Sequence, residues 1–457
     1  MKENQNEENL LIKKKPEQLS RTKRVFIFLI LYILSIIIRA SEHIKKELQD
    51  QQFKNIIYIC YALGLLLGYT LYIKLFQIEN MKKVTFICFL IYGLLFFVYP
   101  LTNNKYIFYC IRFLMYALKN YKDVFIPIWI DQFGIKKYKT LFMIMHINFF
   151  FGGIFQSIFE SILSQNQWYI NCIIIGILII IFDCLLLIFQ NQYFSWKYYF
   201  IGYQSDKKDE FIKINKTGKP SFFKEENEDI NNPGFIKTVI KNKVYIFSTF
   251  SLFFQHFVYK IITLSIYDYV VDSYYFSDRD KYNIISSKKM ISSFGKFLGI
   301  IFELIYLCCI GGYENEKSAI LFCISSILTF FSSIMILFSF NSFIFCTGFF
   351  FYLFSAIPLS FINKCFIINC LPNKYKGAGL SLSMILSTLG FWWSLTFYGL
   401  MHDIFDKYNK TIAWKINFIL IISQIIFSLL SSYYRYYNIE NNDEIKEDAA
   451  KELELIV

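Results

Sequence analysis

The sequence predicts an all-α integral membrane protein of about 12 transmembrane helices in two six-helix bundles. Three observations predict it. The 457 residues are 55% hydrophobic with a mean hydropathy of +0.40, more apolar surface than a soluble domain of this size can hide. The apolar runs are continuous and close to the ~20 residues a helix needs to cross a bilayer, and they do not alternate with period two as barrel strands do. The runs also fall into two groups of six, separated by one long polar stretch.

In order, residues 1–24 form a charged tail. The first six spans, 25–40, 53–76, 84–101, 106–128, 141–164 and 168–190, make an N-terminal bundle over 25–190. No small-residue cleavage site follows the first, so it is read as a retained helix. Residues 191–241 mix Lys207, Lys208, Asp209 and Glu210 with Glu225, Glu226, Glu228 and Asp229, the composition of a flexible linker. The second six, 242–271, 284–309, 318–339, 342–363, 376–401 and 416–434, make a C-terminal bundle over 242–434, and an acidic tail occupies 435–457.

The halves echo each other. Gly64 and Gly68 form a GxxxG in the second span, and Gly295 and Gly299 form another in the eighth. Pro127 in the fourth span corresponds to Pro358 in the tenth. Small residues let helices approach closely in lipid, and Gly152 and Gly153 add such a site in the fifth span. In register across a 6+6 arrangement these matches point to a duplicated transporter architecture. The stretch "PIWIDQFGIKKYKT" closes the fourth span: Pro127 weakens its last turns and Gly134 permits the reversal.

Net charge is +12. With both termini inside, the tail and the inner loops hold sixteen Lys or Arg, Lys364 and Lys376 counted among the loop residues. The opposite loops hold eight, so cytoplasmic termini are expected. The basic excess is therefore a topology signal, and nucleic acid is not an expected partner. The eleven cysteines lie almost entirely inside spans, with no CxxC pair or Cys/His spacing, so neither a metal nor a cofactor is expected. No nucleophile–base–acid grouping or phosphate loop argues for an enzyme.

Ionisable groups inside a span are costly and usually face a cavity or a partner. The fourth span carries Arg112, Tyr116, Lys119 and Asp123 at helical spacing. The seventh carries His256 and Lys260 with Asp268 nearby, and the eighth Lys296 and Glu303. Arg39 sits near the outer end of the first span, His146 and Glu160 lie in the fifth, and Asp183 stands in the sixth. Spans three, nine and twelve carry none. Such a distribution suits a wet interior with a translocation pathway, or a set of ion pairs that only fix packing; Lys119 and Asp123 could neutralise each other, and Arg39 could snorkel to the interface. His146, Glu160 and Asp183 are the candidate proton carriers.

Four segments resemble the major facilitator superfamily, and within it a spinster-like branch. They are "EHIKKELQDQQFKNIIYICYALGLLLGY" at 42–69, "RFLMYALKNYKDVFIPIWIDQFG" at 112–134, "KTLFMIMHINFFFGGIFQ" at 139–156 and "IGGYENEKSAI" at 310–320. Arg112 matches the branch's fourth-helix arginine, and Arg39 matches the arginine near the end of its first helix. Ile38 stands where that branch carries an acid. The resemblance implies two bundles rocking about a central site lined by helices one, four, seven and ten. It implies a small organic solute or a lipid-like molecule, such as a lysophospholipid or sphingolipid, as substrate, with protons as a coupling ion. A monomer in a plasma or endolysosomal membrane is expected. The alternative of another class is a non-transporting membrane sensor or scaffold of the same fold.

Overall fold

The computed structural model describes residues 20–41, 51–76, 81–102, 104–148, 161, 168–194, 235–264, 266–272, 276–339, 341–372, 375–405 and 419–436. The expected sites Gly152, Gly153 and Glu160, most of the linker and nearly all of both tails lie outside them.

The described residues are helical, without strands. The N-terminal half contains α1 (Arg21–Ala40), α2 (Gln51–Leu75), α3 (Met81–Leu101), α4 (Lys105–Lys119), α5 (Tyr121–Phe133), α6 (Lys139–Ile147) and α7 (Trp168–Leu187). The C-terminal half contains α8 (Phe235–Lys241), α9 (Lys243–Leu264), α10 (Ile266–Asp272), α11 (Asp278–Ile310), α12 (Ser318–Leu337), α13 (Ser342–Asn369), α14 (Lys376–Phe405) and α15 (Ile419–Tyr436). Six of these helices, α3, α7, α11, α12, α13 and α15, are long and apolar enough to cross a membrane without further argument. The charges that form the site lie on α11 and α13 of this set and on α1, α5, α6 and α9 outside it.

The two GxxxG pairs do the same job in each half. Gly64 and Gly68 lay α2 on α4, where a Cβ on Gly64 would come 2.6 Å from the Phe113 carbonyl oxygen and one on Gly68 would meet that of Ala117. Gly295 and Gly299 lay α11 on α13, with the Phe350 and Phe354 carbonyl oxygens 2.9 and 2.5 Å from such Cβ atoms. Second span on fourth and eighth span on tenth are equivalent pairs, so the repeat read in the sequence is a repeat of packing. Gly93 and Gly176 bring α3 against α7 in the same way.

Two details differ from expectation. The fourth span is broken at Asn120, between α4 and α5, and then runs straight through Pro127 to Phe133. Pro127 lacks the N–H that would bond the carbonyl of Asp123, so the turn bearing Asp123 is loosened on both sides. Gly134 has φ −58° and ψ 149°, a backbone open to any residue; it is small because a Cβ would strike the Ile130 carbonyl. The left-handed turn is instead at Gly311 and Gly312 (φ 88° and 122°), after α11. There Gly312 N–H bonds the Leu307 carbonyl at 2.8 Å and ends the helix sharply.

The halves meet at the face where α1 begins and α15 ends. Phe76, at the end of α2, packs on Gly377 at the start of α14. One buried cluster runs through both halves here, from Phe28 and Trp129 to Tyr313, Phe361 and Ile367. A second, built on Val258, Ile262, Tyr269, Tyr352 and Ile421, belongs to the C-terminal half alone.

Candidate functional site

The seam between the halves is polar at two depths. The first lies at the face just described. Asp131, on the last turn of α5, is buried, and its carboxylate bridges Lys139 at 2.9 Å and Lys376 at 2.6 Å. Tyr313 donates its hydroxyl to the same carboxylate at 3.0 Å. Lys139 also pairs with Glu314, whose backbone carbonyl accepts from Arg435 at 3.2 Å. Burial pushes the Asp131 carboxyl up, but the two ammonium groups and their hydrogen bonds outweigh it and hold it below the usual carboxylate range. Burial likewise pulls the Lys139 ammonium down, and Asp131 and Glu314 more than reverse that. Lys376 and Tyr313 belong to the C-terminal half, so Asp131 ties the two halves together.

The second layer lies deeper. Asp123 is paired with Lys122 at 2.8 Å and with Arg39 at 3.6 Å. Arg39, in the last turn of α1, thus reaches Asp123 on α5. His146 on α6 is buried within electrostatic reach of Asp123, Arg39, Lys122 and Lys364. Lys364 comes from the other half and acts on Asp123 and Arg39. By its apolar run, which ends at 363, the sequence places Lys364 in an inner loop, but α13 continues to Asn369 and carries Lys364 into the seam. His256 on α9 feels Lys364 and Lys260, and Lys260 feels Lys296. Helices α1, α5, α6, α9, α11 and α13 thus supply one connected group of ionisable side chains.

The structure brings together Arg39, Asp123, His146, His256, Lys260 and Lys296 in this way. His256 Nδ1 and Ser387 Oγ share a short hydrogen bond, and Lys260 lies 4.2 Å from the Phe391 ring centroid. Lys296 lies 5.9 Å from Tyr259. Lys119, at the end of α4, sits over Tyr61 and Tyr116 at 5.5 and 5.8 Å, and Tyr61 and Tyr116 pack edge to face at 4.8 Å. Glu303 is fully buried and accepts from the Asn148 amide at 2.7 Å, another contact across the seam. Arg112 stands apart in the N-terminal half, 4.3 Å from the Tyr99 ring with Phe108 and Tyr116 around it. Asp183 is fully buried on α7 near Cys88 and Tyr121, and among the described residues neither of its oxygens has a hydrogen-bond partner. Asp268 is on α10, its side chain outside the described set. Pro358 is buried inside α13.

Sequence reasoning passed over Lys122, Asp131, Lys139, Tyr313, Lys364 and Lys376 as site residues. Asp131 stood in the quoted hinge segment, and a lone acid beside three lysines was a usable signal. Lys364 had none, since its partners come from the other half.

The fold has close counterparts among solved structures. The major facilitator superfamily proton:xylose symporter XylE, bound to 6-bromo-6-deoxy-D-glucose, superposes with a TM-score of 0.60 at 12% identity over 89% of this chain and 96% of that one. The transporter FucP in the outward conformation gives 0.61 at 9% identity over 89% and 97%. A structure of the E. coli fucose:proton symporter FucP gives 0.59 at 11% over 89% and 99%. The fold is that of the major facilitator superfamily. No family model matches the sequence, and no curated protein matches it either. With this fold and its apolar helices the chain is an integral multi-pass membrane protein.

Proposed function

We propose that this major facilitator fold works as a secondary transporter by alternating access. It moves a small organic solute or a lipid-like molecule, and protons are its coupling ion. The observation that carries the reading is the two-layer seam. An ion-paired lock ties the halves at one face, and a group of charged side chains from both halves lies behind it. Locks that can break and re-form between rigid halves are what rocking requires. The face bearing Asp131 is read as cytoplasmic, on the weight of Lys82, Lys83, Lys136, Lys137 and Lys139 near it. The conformation is then the outward one. The spinster-like assignment rests on the four sequence segments, and a lipid-like cargo follows only from it; the similar solved structures are described as sugar:proton symporters.

Uptake into sealed proteoliposomes tests the reading. Labelled sugars, phosphorylated metabolites, lysophospholipids and sphingoid bases are offered across several pH gradients. Saturable flux that is lost in Arg39→Gln or Asp123→Asn, with both variants folded, is the expected result. Folded wild-type protein that moves none of them favours the sensor or scaffold alternative.

A further inference from the structure

We propose that the inner layer of the seam is an anion site, so that the substrate carries a phosphate, sulfate or carboxylate group. The inference rests on the transporter reading for its role in flux, but not for binding. Arg39 and Lys122 share Asp123 at 3.6 and 2.8 Å, Lys260, Lys296 and Lys364 are half-buried on α9, α11 and α13 within electrostatic reach of this group or of one another, and among the described residues Asp123 is the one carboxylate joined to these five cations. Glu303, a further acid of the seam, accepts from Asn148. Asp123 is already shared by Arg39 and Lys122. Among the described residues Lys260, Lys296 and Lys364 have no carboxylate within ion-pair distance.

Each of these three lysines is half-buried rather than exposed. A surplus of like charge held between packed helices is unfavourable unless a counter-charge enters. Among the described residues nothing else in this layer supplies one. A ligand anion does so and gains charge-assisted hydrogen bonds from ammonium groups on both halves at once. That geometry also links binding to rocking. The lysines lie on α9, α11 and α13, and Arg39 and Lys122 lie on α1 and α5, so an anion drawn to both sets bridges the halves. Asp123 serves as the resident counter-ion that a ligand anion displaces from Arg39. A neutral sugar offers none of this, so the cargo differs in charge from the xylose and fucose of the symporters XylE and FucP.

The test uses the full-length protein in nanodiscs and in proteoliposomes. Thermal shift is read with three pairs: glucose 6-phosphate against glucose, citrate against glycerol, and lysophosphatidate against monoacylglycerol. The first two pairs probe a soluble anion, the third a lipid headgroup. Stabilisation by an anion and not by its neutral partner is expected. Lys364→Gln and Lys260→Gln should weaken it by about tenfold or more each, the loss of one charge-assisted contact. Lys364→Arg should retain most of it, which separates loss of charge from loss of fold. Equal stabilisation by the neutral partners, affinity unchanged in Lys364→Gln, or no response to any of the anions at millimolar concentration overturns the proposal. Flux in the liposomes keeps the two readings apart. Anion binding without flux leaves the site and removes the transporter. Flux of a neutral solute that Lys364→Gln does not slow leaves the transporter and removes the anion site.

Discussion

Asp131→Asn should unlock the seam. The amide keeps the size of the side chain but loses its charge. The wild-type carboxylate is buried and makes two contacts to the other half, with Lys376 at 2.6 Å and from Tyr313 at 3.0 Å. Its third contact, to Lys139, lies within its own half and survives any rocking. A charge-assisted hydrogen bond contributes about 1.5–3 kcal/mol and the tyrosine bond about 1 kcal/mol. Lys376 is partly exposed and regains some hydration, so the lower part of that range applies. The amide oxygen can still accept from Tyr313, so the locked state should lose about 1.5 kcal/mol or more against the unlocked one, roughly a tenfold change in their ratio. Hydrogen–deuterium exchange reads this without added labels. Peptides over 134–140, 311–317 and 372–380 should exchange faster in Asp131→Asn, and Lys376→Gln should reproduce most of the effect. Peptides over 104–110 and 277–283, at the opposite ends of their helices, should not. Equal protection of the first set in wild type and both variants, with the fold intact, would refute the argument that this carboxylate holds the halves together.

Other expectations follow from the same packing and charge. Protection of that face should be level between about pH 5 and pH 9. The depressed Asp131 carboxyl contributes above its unfolded value and is lost only as pH falls through its lower folded one, and the raised Lys139 ammonium contributes until pH rises through its higher folded one. A midpoint near neutrality in the exchange profile would contradict this. Gly68→Ala should cost about 1–3 kcal/mol, because its Cβ meets the Ala117 backbone, which cannot yield as a flexible side chain would. Thermal melting in detergent checks it, and an unchanged melting temperature defeats it. Asp183→Leu should raise the melting temperature, since it removes a carboxyl buried without a hydrogen-bond partner among the described residues. Loss of pH-driven uptake in that stabilised protein would mark Asp183 as a proton carrier; unchanged uptake would exclude it. Glu303→Gln keeps an acceptor for Asn148 and should fold, whereas Glu303→Leu strands that amide at a cost of about 1–3 kcal/mol.

What the sequence made legible is what repeats locally. Gly64 with Gly68 and Gly295 with Gly299 are spaced by four, so each pair falls on one helix face, and their recurrence in the two halves identified both pairs as packing sites. The apolar runs gave the spans because a bilayer demands length and little else. What stayed hidden is pairing over long sequence separation. Asp131 and Lys376 are 245 positions apart, and Asn148 and Glu303 are 155 apart. No periodicity encodes such meetings. The spacing of Lys119 and Asp123 offered a pair four apart, but nothing in the sequence signalled that Asp123, on the turn loosened by the break at Asn120 and by Pro127, also pairs with Arg39 from α1 and with its neighbour Lys122.

Lys364 shows the same limit from the other direction. A window that scores hydropathy ends a span at the first lysine, which treats charge as a boundary. In a bundle with a polar seam, charge inside a span is tolerated wherever the facing half offers counter-charge or water. The lysine then lies on the helix rather than after it, as α13 demonstrates. Site charges accordingly lie on α1, α5, α6 and α9 and equally on α11 and α13, which are long and apolar enough to cross a membrane. In this chain a charge inside a span is therefore itself a pointer to the pathway, and Lys364→Gln, which changes one charge on α13, is the sharpest test of whether that pathway carries anions.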